Sequence, residues 1–290
     1  MTQSHIPTPP SSTLSIPTTE VVERITPRRS LAFAAALGYR QPRYVDDARE
    51  GGLEAPPLFC VSLEWPAMTR VDRSAAFGLS ADEARRAVHS SQDSEFFMPL
   101  RAGQNVRTRG IIEAAHATRA GLAVTVLCTS TDEESGELLC RSRSTSIFRD
   151  VTREIPAALR VPVPPIDATA PDDSALAEAL RFDRMFPHLY TECAQIWNPI
   201  HTERRAALAA GLDDIIVHGT GLWGLAVRRL GELYDTEGSA QYRRLAVRFK
   251  APVKPDAALQ LRHQRQGDRV RYELKLQNGA SAIVGFIDLA

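Results

Sequence analysis

Residues 242–289 read YRRLAVRFKAPVKPDAALQLRHQRQGDRVRYELKLQNGASAIVGFIDL, and this run decides the fold class. Leu245, Val247 and Phe249 alternate with charged or small residues, the period of a strand with one buried face. LQLRHQRQ and VRYELKLQ are parted by Gly267-Asp268; VRYELKLQ and ASAIVGFIDL are parted by Asn278-Gly279. Asn-Gly favours a type I′ turn and is the strongest short hairpin signal. The run is therefore an antiparallel meander. Just upstream, Leu222, Leu225, Ala226, Leu230 and Leu233 fall at helical spacing, which predicts a helix with one apolar face from about Gly219 to Tyr234. Before it, Thr202 is placed to N-cap a short helix, ERRAALAA, that Gly211 ends. A helix pair followed by a meander defines this part of the chain.

The upstream half reads in a similar way. Thr26-Pro27 opens a helix that closes near Gly38, with proline at the first helical position and glycine after the last. Strands are expected near 104–113, 121–130 and 138–148, with Glu134-Ser135-Gly136 as a turn between the last two. The segment 66–95 shows no legible pattern. Two local phrases recur about 155 residues apart. Phe96-Phe97-Met98-Pro99-Leu100 resembles Phe249-Lys250-Ala251-Pro252-Val253, and Gln41-Pro42-Arg43-Tyr44 stands where Asn198-Pro199-Ile200-His201 stands later. Two phrases in the same order point to a duplicated α+β unit. Residues 155–172 (IPAALRVPVPPIDATAPD) are proline-rich and unpatterned, as a linker is. The expected organisation is a Ser/Thr/Pro-rich disordered tail at 1–20, a first unit at 21–154, the linker at 155–172 and a second unit at 173–290.

Bulk properties exclude several classes. Lysine plus arginine (35) equals aspartate plus glutamate (35), so the concentrated basic surface that nucleic acid requires is missing. No run approaches the roughly 18 apolar residues of a membrane span. Cys60, Cys128, Cys140 and Cys193 are far apart with no C-x-x-C spacing, which suggests reduced thiols in a cytoplasmic protein. With the seven histidines they form no ligand cluster, so no metal site is expected. Signal- and transit-peptide features are lacking at the N-terminus.

The stretch with the most chemical content is Tyr190–Gly224, YTECAQIWNPIHTERRAALAAGLDDIIVHGTGLWG. It resembles the MaoC-like dehydratases and R-specific enoyl-CoA hydratases, which carry S-G-D-x-N-P-[LI]-H, a short helix, and then H-G before a long helix. Trp197-Asn198-Pro199-Ile200-His201 matches the first phrase and Ile216-Val217-His218-Gly219 the second. The first half resembles the companion unit through AAALGYRQPRYVDD, EAPPLF and HSSQDSEFFMPLRAG, so the resemblance spans roughly residues 20–290. It implies an α+β fold of two tandem hot-dog units, each a long helix wrapped by an antiparallel sheet, forming a double hot dog. Only the second unit keeps the catalytic phrase, since Gln41 and Tyr44 replace the asparagine and histidine in the first.

The resemblance implies reversible hydration of 2-enoyl to 3-hydroxyacyl thioesters, carried by coenzyme A or an acyl carrier protein, with no metal or redox cofactor and with a homodimer as one possible assembly. His201 is the expected base, because an imidazole titrates near neutral pH. Asn198 is the expected orienter of water or imidazole. The Gly219 N–H, at a helix N-terminus, is the expected donor to the thioester oxygen, and glycine there would let the thioester approach. Trp197, His218 and Thr220 are expected to line the substrate site, with His218 shaping the loop before Gly219. One departure stands out. The family aspartate two residues before the asparagine is Ile196 here, and the glycine before it is Gln195. Glu192 or Glu203 are the nearest substitutes in sequence. A catalytically decayed thioester-binding subunit and a hot-dog thioesterase are the competing functions.

Two patterns read otherwise in isolation. Gly219-Thr220-Gly221-Leu222-Trp223-Gly224 is a literal G-x-G-x-x-G, but hairpins follow where a dinucleotide-binding unit needs a parallel strand, which argues against that cofactor. Arg243, Arg244, Arg248, Lys250 and Lys254 alternate as a solvated sheet face does; contact with the phosphates of a thioester arm is the alternative.

Overall fold

The computed structural model describes residues 18–235 and 241–289. The first half contains β1 (Thr18–Arg24), α1 (Pro27–Leu37), α2 (Pro42–Val45), α3 (Cys60–Arg70), α4 (Arg73–Phe77), α5 (Ala81–Arg85), β2 (Ala87–Phe96), β3 (Asn105–Thr118), β4 (Gly121–Asp132) and β5 (Leu138–Arg149). The second contains β6 (Leu176–Leu180), α6 (Phe186–Ala194), α7 (Arg204–Ala209), α8 (Gly219–Tyr234), β7 (Tyr242–Phe249), β8 (Leu259–Gln266), β9 (Arg269–Leu276) and β10 (Ser281–Leu289). All strands join one antiparallel ten-stranded sheet in the order β1-β3-β4-β5-β2-β7-β10-β9-β8-β6. That order is the same in both halves read outward from the centre, where β2 pairs with β7 from Ser91 opposite Arg248 to Glu95 opposite Arg244.

The duplicated phrases fall at equivalent places. Phe96 and Phe249 each end the central strand of their half. Gln41 caps α2, and Asn198 caps the 3-10 turn Pro199–His201. Helix α8 lies against β9 and β10, and α3 against β1, β3 and β4, so each half has a helix seated on its own half-sheet. The main core joins both halves: Trp223 and Tyr272 are fully buried together with Phe33, Leu58 and Phe59. Helices α1 and α6 pack on each other across the pseudo-two-fold.

Several local expectations need correction. The tail expected at 1–20 gives way to β1 at Thr18, and residues 1–17 lie outside the described residues. The Asn278-Gly279 hairpin has a four-residue connection in which only Gly279 takes a positive φ, 82°. A type I′ turn needs positive φ at both residues; here Asn278 instead accepts a hydrogen bond from the Ala280 N–H at 3.0 Å. Helix α7 is capped at Glu203, not Thr202, with no side-chain cap. The illegible segment 66–95 holds the end of α3, then α4, α5 and most of β2. The linker is not loose: Leu159 is buried, Asp167 pairs with Arg271 at 2.6 Å, and the Asp172 carbonyl accepts from Arg262 at 2.7 Å.

Candidate active site

Helix α6 ends at Gln195 in the left-handed region (φ 56°), which turns the chain sharply before Ile196. Ile196 is buried, whereas Trp197 is 58% exposed and so belongs neither to the core nor to a closed pocket wall. Asn198 is extended, and its side-chain oxygen accepts from the Ile200 N–H at 3.4 Å, capping the 3-10 turn. Pro199, with its fixed φ, is preorganised for that first position. The turn delivers His201 against the strand-like segment before α8. There the Ile216 N–H donates to the Ile200 carbonyl (3.3 Å) and the Val217 N–H to the Val253 carbonyl (2.8 Å).

His201 Nδ1 lies 2.8 Å from the Ile216 carbonyl oxygen. A carbonyl can only accept, so Nδ1 carries the proton and Nε2 presents its lone pair. Burial lowers the His201 pKa to about 4, only partly offset by that hydrogen bond, so the ring is neutral at pH 7. His218, the N-cap residue of α8, stacks on it with ring centroids 3.8 Å apart and an interplanar angle of 28°. His218 Nε2 is 3.0 Å from the Thr191 hydroxyl, and its ring packs against Tyr190. Burial, and next the neighbouring His201, hold the His218 pKa well below the ordinary value. Two neutral, stacked imidazoles thus face the start of α8.

Gly219 is the first residue of α8. The first N–H groups of a helix have no intrahelical acceptor and sit at its positive end. A Cβ on Gly219 would lie 2.7 Å from Cδ1 of Phe249, so within the protein it is this ring that requires glycine there. The other glycines of G-x-G-x-x-G are explained by neighbours too: a Cβ on Gly221 would meet the Phe186 and Tyr190 rings, and one on Gly224 would meet Leu37 at 2.7 Å. Thr220 is half-buried in the first turn, beside Tyr190.

Among the described residues no carboxylate bonds to either imidazole. Glu192 and Glu203 are exposed, and no group of three or more His, Cys, Asp or Glu side chains is placed to hold a metal. Of the basic residues in the second half, Arg243 pairs with Asp268, Arg244 with Asp93 and Lys254 with Asp213. Arg248 and Lys250 instead line a cavity of about 340 Å³ beneath Pro164 and Pro165 of the linker. Neither that cavity nor the adjoining one of about 500 Å³ touches His201. The structure brings together His201, Asn198, His218 and Gly219, and adds Thr191 and the Ile216 carbonyl, which the sequence did not single out. A backbone acceptor leaves no residue-type signal; Thr191 fell outside the motif.

An antiparallel half-sheet seated on a helix, twice in one chain, with N-P-I-H set against H-G, defines a double hot-dog fold. The comparisons agree. Residues 188–284 match the MaoC like domain, and residues 13–141 match the FAS1-like, dehydratase domain region. The second half of the chain thus carries a MaoC like domain and the first a FAS1-like dehydratase region, within a hot-dog fold. It is 23% identical over 279 residues to the peroxisomal multifunctional enzyme type 2 of Mus musculus, covering 91% of this chain and 36% of that one. A MaoC-like dehydratase from Phytophthora capsici superposes with a TM-score of 0.74 at 19% identity, over 95% of this chain and 96% of that one. A Mycobacterium tuberculosis protein described as having a double hotdog fold gives a TM-score of 0.63 at 16% identity, over 95% of this chain and 96% of that one. The chain spans only about a third of the length of the multifunctional enzymes it matches. Among the described residues no helix is long and apolar enough to cross a membrane.

Proposed function

We propose that the protein interconverts 2-enoyl and 3-hydroxyacyl thioesters of coenzyme A or a carrier protein, with His201 as the acid/base. The observation that carries this reading is the hydrogen bond from His201 Nδ1–H to the Ile216 carbonyl, which leaves Nε2 as a neutral, oriented base beside the first turn of α8. In the hydration direction, Nε2 takes a proton from water as the water oxygen bonds to C3. The C2=C3 electrons move toward the thioester carbonyl, whose oxygen gains charge and is held by the Gly219 N–H. The imidazolium then returns its proton to C2, so H and OH have added across the double bond. One base that gives back the proton it took closes this cycle without a second acid, and a site with Ile196 in the aspartate position needs that economy. Asn198 acts on His201 through the turn it caps. The unpaired cysteines fit a reducing compartment such as the cytoplasm.

A second reading, a thioester-binding subunit without turnover, is favoured by one observation: no described carboxylate bonds to His201 or His218. Incubation with short and medium 2-enoyl-CoA separates the possibilities. Loss of the enoyl ultraviolet band without thiol release supports hydration. Thiol release marks a thioesterase, and saturable binding with an unchanged band marks the binding subunit.

A further inference from the structure

The inner sheet faces of the two halves differ in chemistry. Phe96 lies opposite Cys140 as Phe249 lies opposite Ile283, which aligns the central strand pairs residue by residue. In the second half the inward positions are Leu245 and Val247 on β7, then Gly285, Ile287 and Leu289 on β10. In the first half the same places hold Gln92 and Ser94 on β2, then Ser142, Ser144 and Ser146 on β5. The helix above follows suit: Glu64, four residues into α3, stands where fully buried Trp223 stands in α8. A core face has been exchanged for hydrogen-bonding groups. Buried polar groups cost stability unless paired; here Glu64 accepts from Gln92 Nε2 and from the Ser142 hydroxyl, which leaves Gln92 Oε1 without a partner among the described residues.

This polar stripe begins at the catalytic turn. Phe249, whose ring abuts Gly219, also packs on His89 with centroids 4.6 Å apart. His89 Nε2 is 3.0 Å from the Ser144 hydroxyl. One residue pair further along, Arg73 at the start of α4 donates to the Ser146 hydroxyl at 3.4 Å. Arg73 is half-buried. No carboxylate of the described residues lies within ion-pair distance of it, and burial lowers its pKa. Two strand spacings, about 10 Å, separate β7 from β5.

Resting on the hydration reading, we propose that the half-buried end of this stripe, at His89, Ser146 and Arg73, is the acyl-tail subsite, and that Arg73 with Ser146 receives a distal carboxylate, so that the substrate is the mono-thioester of a dicarboxylic acid. A guanidinium already stripped of much of its water and lacking a counter-ion gains most from a carboxylate, which it can bind through two parallel hydrogen bonds. A plain alkyl tail would instead cover the guanidinium without giving it a counter-charge.

The test compares two 2-enoyl-CoA substrates of equal length, one ending in a carboxylate and one in a methyl group, in wild type, Arg73→Met and Arg73→Lys. The expected wild-type preference, as the ratio of kcat/KM values, is about tenfold or more for the carboxylate. Arg73→Met removes that ratio through KM, and Arg73→Lys retains part of it; Ser146→Ala, a smaller change to the packing, lowers it less. Affinities for the two saturated, unreactive acyl-CoA analogues are measured on the same proteins. Carboxylate-selective binding with no hydration overturns the enzyme reading and upholds the subsite. Hydration with no carboxylate preference, or a preference untouched by Arg73→Met, overturns the subsite alone. Failure of both analogues to bind overturns both.

Discussion

Gly219→Ala tests how the catalytic turn is built. The added Cβ would stand 2.7 Å from Cδ1 and 2.8 Å from Cε1 of Phe249, against an optimum of about 3.5–4.0 Å between carbons. The ring cannot yield freely. It is carried by the last residue of β7, whose backbone pairs with Ile283, and His89 packs on it. Overpacking of this kind costs about 1–3 kcal/mol. Alanine recovers at most about 1 kcal/mol of helix propensity, less at a first helical position. The net expectation is a loss of about 1–2 kcal/mol, a fall in Tm of roughly 2–3 °C for a chain of this size. Phe249→Leu in the same chain should relieve the overlap, so the double-mutant cycle should show a favourable coupling of about 0.5–2 kcal/mol. Thermal unfolding followed by circular dichroism on the four proteins reads both quantities. A Gly219→Ala protein as stable as wild type, or a coupling of zero, would refute the contact and with it the reason given for glycine.

Other outcomes follow from the same structure. Asn198→Ala removes the cap of the 3-10 turn; a loss of about 0.5–2 kcal/mol is expected in denaturant unfolding, with a larger fractional fall in kcat than in substrate affinity as His201 loses its placement. Burial raises the Glu64 pKa to about 7 from 4.5, so its proton is held more tightly in the folded state. Its stabilising contribution is complete below pH 4.5 and is lost as pH rises toward 7, a change of order 3 kcal/mol at 1.36 kcal/mol per unit. Glu64→Gln should therefore raise Tm at pH 8 and flatten its pH dependence; Gln92 can flip to present its unpartnered Oε1 to the new amide. His89 and His201, both lowered to about 4 by burial, act in the opposite sense. Their contribution is complete above pH 6.5 and is lost as pH falls toward 4. Denaturant midpoints should fall over that window, and His89→Gln should reduce the slope.

The second half was legible because its signals are local. Alternating Leu245, Val247 and Phe249, the Gly267-Asp268 turn and the stripe on α8 each reflect one buried face read at its own period. The first half was harder for a physical reason. Helix α3 contains Ser62, Glu64 and an internal Pro66, and β2 turns Gln92 and Ser94 inward, so neither shows an apolar face. The joining of β2 to β7 into one sheet was not readable either, since no local pattern records which strand edges meet. At the site, N-P-I-H and H-G were visible as residue types. The Ile216 carbonyl that sets the His201 tautomer, and the left-handed Gln195 that turns the chain toward it, depend on backbone geometry alone.

The central claim is that a neutral His201 Nε2 is the proton carrier. The most direct measurement is the rate of enoyl-band loss from a 2-enoyl-CoA with wild type and with His201→Ala, both verified as folded. The account predicts a fall of about 10²–10⁴-fold on removing the imidazole. An unchanged rate would contradict it.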